Sequence, residues 1–375
     1  MKFVIATQEF NFLLSKCFNI VSTKATVPIL SNFLIEALND ELIITATDLT
    51  VGIRCVTEAK ILEEGATTLP AKKLVQLVRE LTSVNLEVNT NANEVTEIIA
   101  DSSRFKLHGM SKNEFPSLPD VTSAVQAKMP QGELKDMLFR TAFAVSRDDN
   151  RYALTGVYMH IHNCEATFVG TDGKRLARSR TRIDIDPAFS AGYIVPLKAV
   201  EEIMKNLNDE GESTLYLMPD KIAIEASNTM IITKLLTGDY PDVTRVIPEH
   251  SSTVVSLHRE ELMTLLRQIS LFTVDTTHSV RFSFSDGELK LTANTSDVGE
   301  GKVSMPVNYQ GQKLEVAFNP GFFYDILRHT KKPTVTMRVT DAYNPGVITD
   351  LDETPAGSSA IQSLFVLMPM RLNEE

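Results

Sequence analysis

The stretch TTLPAKKLVQLVREL at residues 67–81 returns as YIVPLKAVEEIMKNL at 193–207 and as VAFNPGFFYDILRHT at 316–330. Each copy begins extended, passes a proline (Pro70, Pro196, Pro320) whose missing N–H does no harm at a helix start, and enters an amphipathic helix. The apolar stripes are Leu74, Leu77, Val78 and Leu81, then Val200, Ile203, Met204 and Leu207, then Phe322, Phe323, Ile326 and Leu327. Upstream of each copy lies a first helix with the same i, i+3, i+4, i+7 rule: Phe10, Leu13, Leu14, Cys17 and Phe18; Leu134, Met137, Leu138, Thr141 and Ala142; Leu262, Leu265, Leu266 and Ile269.

Between the two helices runs an alternating segment that ends on a polar turn, LIITATD to Asp48, ATFVGTD to Asp172 and LKLTANT around Asn294. Each copy then closes on a strand and a proline turn, at Phe115-Pro116, Tyr240-Pro241 and Met368-Pro369. Four elements in one order at a period of about 125 residues make three repeated domains, with expected extents of 1–127, 128–250 and 251–375 and boundaries in polar connectors near Ala127 and Ser251. Turn signals such as Asn39-Asp40 and Asp286-Gly287 separate the strands, and no strand alternates with a helix in the βαβ manner. The expected class is α+β, each domain two helices packed on one side of antiparallel sheet.

Composition agrees. With 375 residues, 43% hydrophobic and 23% charged, the chain is a folded protein of two or three domains, not a disordered, collagenous or coiled-coil one. No apolar run approaches the roughly 20 residues of a membrane span. The N-terminus MKFVIATQEFNF shows neither a basic leader nor a cleavage site, so a cytoplasmic protein without membrane partners is expected. Cys17, Cys55 and Cys164 form no CxxC spacing and are expected to be small hydrophobes.

The net charge of −11 argues against nucleic acid only if it is evenly spread. It is not: the six helical segments hold 14 Lys and Arg against nine Asp and Glu, a net +5, which leaves −16 for the remainder. If the six share a face, that face attracts phosphate.

Catalytic motifs are missing from the sequence: no GxxxxGK[ST], GxGxxG after a strand, HExxH or GxSxG occurs. His160-x-His162 on a strand lacks a third ligand nearby, so no metal site is expected. Thr171 to Arg175, TDGKR, reads as a tight turn at Gly173, and Asp148-Asp149 and Asp184-x-Asp186 read as solvent loops. No enzyme and no cofactor is expected. Repeats and acidity alone leave a three-module adaptor without DNA binding as the alternative.

Several strings together resemble the bacterial DNA polymerase III beta subunit family, the replicative sliding clamps: TDGKRLA at 171–177, GDYPDVTRVIP at 238–248, VPIL at 27–30, ATTLPAKK at 66–73 and VLMPMRL at 366–372. The resemblance spans the whole chain. It implies a head-to-tail homodimer of three-domain subunits closed into a ring, with twelve helices around a hole. It implies that the ring encircles double-stranded DNA without sequence preference and tethers the replicative polymerase alpha subunit, the clamp loader, other polymerases and repair proteins through short clamp-binding peptides. Twelve helices about 10 Å apart form a circle of axes roughly 38 Å across, leaving about 28 Å clear. A duplex roughly 20 Å wide passes with a layer of water, and a modest basic excess suits sliding better than a dense basic cleft.

The resemblance assigns three sets of residues. DNA-facing positions are Lys24, Lys72, Lys73, Arg79, Lys135, Arg147, Arg151 and Lys198, with Tyr152 offering an aromatic surface. The dimer interface pairs Phe105 and Leu107 with Leu271 and Phe272 of the other subunit, and Arg104 and Lys73 with Asp297 and Glu300 at the rim. The partner-peptide pocket takes Leu154, Thr171, Gly173, Arg175 and Leu176 from one stretch, Pro241 and Val246 from a second, and Val366, Met368, Pro369, Met370 and Arg371 from a third. Unbranched Met368 and Met370 suit a pocket with several partners, and Arg175 or Arg371 is expected to hydrogen-bond the peptide. Two departures stand out: Asn373, Glu374 and Glu375 extend past the usual MRL end, and Lys174 and Leu197 stand where the family commonly has other residues.

Overall fold

The computed structural model describes residues 1–22, 27–274, 278–296, 298–350 and 361–371, the side chain of residue 149 excepted. One order, β–α–β–β–β–β–α–β–β–β, runs three times. The first repeat is β1 (Lys2–Ala6), α1 (Thr7–Phe18), β2 (Asn32–Leu38), β3 (Glu41–Thr47), β4 (Val51–Glu58), an additional short β5 (Lys60–Glu63), β6 (Gly65–Pro70), α2 (Ala71–Glu80), β7 (Asn85–Thr90), β8 (Val95–Ala100) and β9 (Ser103–His108). The second is β10 (Val125–Pro130), α3 (Gln131–Ala142), β11 (Gly156–His162), β12 (Glu165–Thr171), β13 (Arg175–Arg182), β14 (Ser190–Pro196), α4 (Leu197–Asn206), β15 (Glu212–Leu217), β16 (Lys221–Ala226) and β17 (Thr229–Lys234). The third is β18 (Thr253–His258), α5 (Arg259–Ser270), β19 (Val280–Ser285), β20 (Glu288–Thr295), β21 (Gly299–Pro306), β22 (Leu314–Phe318), α6 (Pro320–Arg328), β23 (Thr334–Val339), β24 (Gly346–Thr349) and β25 (Gln362–Leu367).

Every strand pairing is antiparallel, and each repeat builds two sheets rather than one. The contacts divide the chain into two units, 1–135 with 198–235, and 136–197 with 236–375. In the first unit the sheet β5-β1-β7-β8-β9 stands beside an eight-stranded sheet, β10-β15-β16-β17-β4-β3-β2-β6. That larger sheet joins two repeats where β17 pairs β4, with Ile231 opposite Ile53. The second unit holds the sheet β14-β11-β12-β13-β25-β24-β23-β18, joined where β25 pairs β13 with Phe365 opposite Ala177, and the four-stranded sheet β21-β20-β19-β22. Helices pack between sheets: α1 touches β1 as well as β3 and β4, and α5 touches β18 as well as β20 and β21. The expected α+β class, helices packed on antiparallel sheet, is the one adopted, with the strands of each repeat divided between two sheets.

Local chemistry explains the helix starts. Pro70 precedes α2, whose Ala71, Leu74, Val75 and Val78 turn inward while Lys72, Lys73 and Arg79 turn out. Asn319 caps α6, its Oδ1 accepting from Gly321 N at 2.9 Å and Phe322 N at 3.2 Å ahead of Pro320. Ala127 falls inside β10 with its side chain buried, so the polar connector is the stretch before β10; Ser251 lies in a connector two residues before β18. Among the described residues no helix is long and apolar enough to cross a membrane.

Candidate partner pocket, interface strands and cations

The β12–β13 turn is held by its own side chains. Thr171 Oγ1 donates to Arg175 O at 2.6 Å and accepts from Gly173 N at 3.1 Å, while Asp172 Oδ1 accepts from Lys174 N and Arg175 N at 2.9 and 3.0 Å. Gly173 has φ +82°, the left-handed value that glycine adopts without strain, so TDGKR is the tight turn expected. Met368 N donates to Lys174 O at 3.0 Å and continues the chain past the end of β25 along this turn. The segment after Tyr240 covers the sheet beside it, Tyr240 stacking on Tyr158 with ring centroids 4.6 Å apart. Burial pushes the Tyr240 hydroxyl well above its ordinary range, with Tyr158 adding to the effect, so it stays protonated.

These elements enclose a cavity of about 200 Å³. Its walls include Leu154, Thr171, Gly173, Arg175, Leu176, Pro241, Val246, Val366 and Met368, nine of the residues singled out in the sequence. Three others are placed elsewhere. Met370 N donates to Ala317 O at 2.8 Å and bridges to β22, Pro369 is half-buried between the two, and Arg371 is exposed. The cavity also takes Asp242 and Val243, which sequence reasoning passed over although Val243 and Val246 stand three apart, the spacing of the single 3₁₀ turn at Thr244–Val246.

Arg175 is a wall of this cavity and not a free donor. Its Nε donates to Asp172 Oδ2 at 3.2 Å and its Nη2 to Phe143 O at 3.1 Å, and its guanidinium lies over the rings of Phe322 and Phe143 at 4.6 and 5.3 Å. Nearby, Arg140 is buried, with both oxygens of Asp350 at 3.0 Å and Asp136 at 3.1 Å. Its charge therefore leaves the basic layer read from the helices.

The cations fall into two groups. Lys72, Lys73, Arg79 and Arg147 are exposed, and Tyr152 is 54% exposed. Lys135 pairs with Asp209 at 2.8 Å, Lys198 pairs with Asp48, and Arg151 donates to Asp172 O at 2.8 Å. Burial opposes ionisation of Asp48, but hydrogen bonds from Lys198 and from the amides of Val51 and Thr50 outweigh it and hold the carboxyl below its usual range. Lys24 and Asp297 lie outside the described residues.

Among the edge strands of the four sheets are β9, at one end of the five-stranded sheet, and β21, at one end of the four-stranded sheet. On β9, Phe105 and Leu107 are half-buried on one face beside exposed Arg104, which sits 3.9 Å from Glu97. After α5, Leu271 is 74% exposed and Phe272 lies over Gly301 of β21, where a Cβ would come within 2.8 Å of its ring. Glu300 and Lys302 pair at 2.5 Å along the same strand.

The remaining candidates assemble no chemistry. His160 and His162 stack at 6.0 Å, and His162 Nδ1 sits 3.2 Å from Ser190 Oγ. Asp148 and Asp186 accept the backbone amides of Asn150 and Ala188. Among the described residues no three His, Cys, Asp or Glu are placed to hold a metal.

Three like repeats whose sheets merge at their junctions define a three-domain DNA clamp fold. Models of the DNA polymerase III beta subunit match in order, the N-terminal domain over residues 1–119, the central domain over 128–242 and the C-terminal domain over 244–370. The beta sliding clamp of Chlamydia pneumoniae is 52% identical over 375 residues, covering 100% of both chains, and that of Haemophilus influenzae is 29% identical over 374 residues, covering 99% of this chain and 100% of its own. The crystal structure of a sliding clamp from Pseudomonas aeruginosa bound to griselimycin matches with TM-score 0.94 at 27% identity, covering 99% of this chain and 100% of that one. One from Bartonella birtlesii, also with griselimycin, matches with TM-score 0.92 at 29% identity and the same coverage. The chain belongs to the DNA polymerase III beta subunit family.

Proposed function

We infer that this chain is a DNA sliding clamp: a ring that encircles duplex DNA and tethers the replicative polymerase and other partners, with no catalytic activity of its own. The observation that carries this is the match of all three clamp domains, in order, along a chain that repeats one ten-element unit three times. The proposed domain extents are 1–127, 128–250 and 251–375, and the proposed compartment is the cytoplasm.

The repeat supplies the rule for a head-to-tail dimer. β4 pairs β17 and β13 pairs β25, so the corresponding third pairing is β21 with β9 of a second chain. Registers at the two existing junctions set Ile53 against Ile231 and Ala177 against Phe365, which aligns Gly301 with the partner's Phe105 and Glu300 with the partner's Lys106. Leu271 and Phe272 then meet Phe105 and Leu107, with Lys73, Arg104 and Asp297 at the rim. The cavity beside Met368 is proposed to take partner peptides, with Pro369, Met370 and Arg371 along its approach. Lys24, Lys72, Lys73, Arg79, Lys135, Arg147, Arg151, Tyr152 and Lys198 are proposed to face DNA.

Retention on circular against linear DNA tests the function. A sliding ring stays on a closed circle and runs off free ends. Equal retention on both, or none on either, removes the reading, and the second outcome favours an adaptor without DNA binding.

A further inference from the structure

The β3–β4 turn reproduces the β12–β13 turn bond for bond. Thr47 Oγ1 donates to Val51 O at 3.0 Å, as Thr171 Oγ1 does to Arg175 O at 2.6 Å. Leu49 N donates to Thr47 Oγ1 at 3.0 Å, as Gly173 N does to Thr171 Oγ1 at 3.1 Å. Asp48 Oδ1 accepts from Val51 N at 2.7 Å, as Asp172 Oδ1 accepts from Arg175 N at 3.0 Å. The closing strand matches too: Lys234 N reaches Thr50 O at 2.9 Å and Met368 N reaches Lys174 O at 3.0 Å. Against the β3–β4 turn, wholly within the first unit, lies a second cavity of about 250 Å³, where Pro116 stands for Pro241, Ile232 for Val366 and Lys234 for Met368.

Two departures give this cavity its own chemistry. At the position of Gly173 stands Leu49, held at φ +74°, a left-handed conformation that an L side chain adopts only at a cost. Its side chain is 49% exposed, so packing does not repay that strain, and strained positions of this kind concentrate at ligand-binding sites. The second departure is charge. Lys221 on the rim is paired with Asp220 at 3.4 Å, whereas Lys234 is exposed and meets no carboxylate among the described residues.

We propose that this cavity is a second docking site, for a short extended peptide that lays an aliphatic side chain against Leu49 and Ile232 and a carboxylate against Lys234. The space is smaller than the roughly 300–1,000 Å³ of drug-sized ligand pockets and takes a side chain or two. The class of ligand rests on the reading of the first cavity as a peptide pocket; the cavity, the strained leucine and the uncompensated lysine do not.

Calorimetric titration of the full chain with acetyl-Leu-Glu-Leu-Glu-amide tests it. Two sites per chain are expected. Leu49→Gly, which relieves the left-handed strain, leaves the melting temperature equal or higher yet weakens one site at least tenfold. Lys234→Glu weakens the same site and removes its salt dependence, and Val246→Asp removes only the other site. A single site that is lost in Val246→Asp and untouched in Leu49→Gly overturns the inference while the first cavity keeps its reading. A single site lost only in Leu49→Gly upholds the inference and removes that reading. Absence of binding overturns both.

Discussion

Arg175 Nη1 lies 2.7 Å from Asp325 Oδ2, a contact that ties the β12–β13 turn of the second repeat to α6 of the third. Together with Asp172, the Phe143 carbonyl and two flanking rings, it commits the guanidinium on every side. Arg175→Ala should therefore cost about 3–5 kcal/mol, the usual loss when one member of a buried charge cluster is removed. Asp325→Asn, at the more exposed end of the pair, should cost only about 1 kcal/mol. Equal losses in urea unfolding would show that the cluster does not hold this turn.

His329 gives the same region a pH dependence. Its ring stacks on Phe143 at 4.0 Å, and its Nδ1–H donates to Asp325 O at 2.7 Å. Burial holds the imidazole below its ordinary range, against the Asp325 carbonyl and charge, with Arg328 and Arg175 adding to the lowering. The unfolded chain takes up this proton near pH 6.5 and the folded one only at lower pH, so stability is full above that value and falls as pH drops through it. His329→Phe should flatten the loss between pH 7 and 5.5; an unchanged slope would assign it to other groups.

For the dimer, Leu271→Ala with Phe272→Ala should convert a species of twice 41.6 kDa into single chains at nanomolar concentration. Such anchors typically contribute about 2 kcal/mol or more each. The proposed register adds a sharper check by sedimentation: Glu300→Lys weakens the dimer, and Lys106→Glu in the same chain restores it.

At the first cavity, deleting residues 368–375 should leave a dimer that encircles DNA but no longer binds polymerase-derived peptides or supports processive synthesis. Removing only 373–375 should preserve or improve peptide binding. Fluorescence anisotropy with a labelled peptide reads both, and undiminished affinity in the longer deletion would move the pocket elsewhere.

On DNA, replacing Lys72, Lys73 and Arg79 together with Ala should reduce the slope of log affinity against log salt by about 2 to 3, near 0.9 per phosphate contact. Lys135→Ala and Lys198→Ala should each change it less, because Asp209 and Asp48 already oppose those charges.

The helices and the antiparallel sheets were legible because their signals are local: the stripe of Leu74, Leu77, Val78 and Leu81 located α2, although its buried face is Ala71, Leu74, Val75 and Val78 with Leu77 and Leu81 half-buried, and the glycine of TDGKR sits where a left-handed residue is needed. Eight of the cavity residues named from the sequence fall in three quoted strings and Leu154 outside them, while the two passed over, Asp242 and Val243, lie just ahead of a single helical turn too short to show a period. Long-range choices left no local mark. Nothing near Arg140 in sequence announces Asp350 as its partner, and nothing near Leu49 announces a left-handed backbone, since no glycine or asparagine occupies the position. The boundary at Ala127 fell inside β10 because alternation over Ala127 and Met129 is too brief to distinguish from a connector.

The edge strands β9 and β21 carry a consequence for how chains associate. An edge on one sheet that matches a different edge on another makes a heterologous contact, and such contacts either close or propagate. In the proposed dimer the second contact closes on the first and consumes both β9 and β21. A substitution that tilts the contact without weakening it would leave one of those strands open at each end of the pair, and chains would then add without limit as a fibre. Closure geometry, as much as interface strength, is thus what keeps this protein from polymerising.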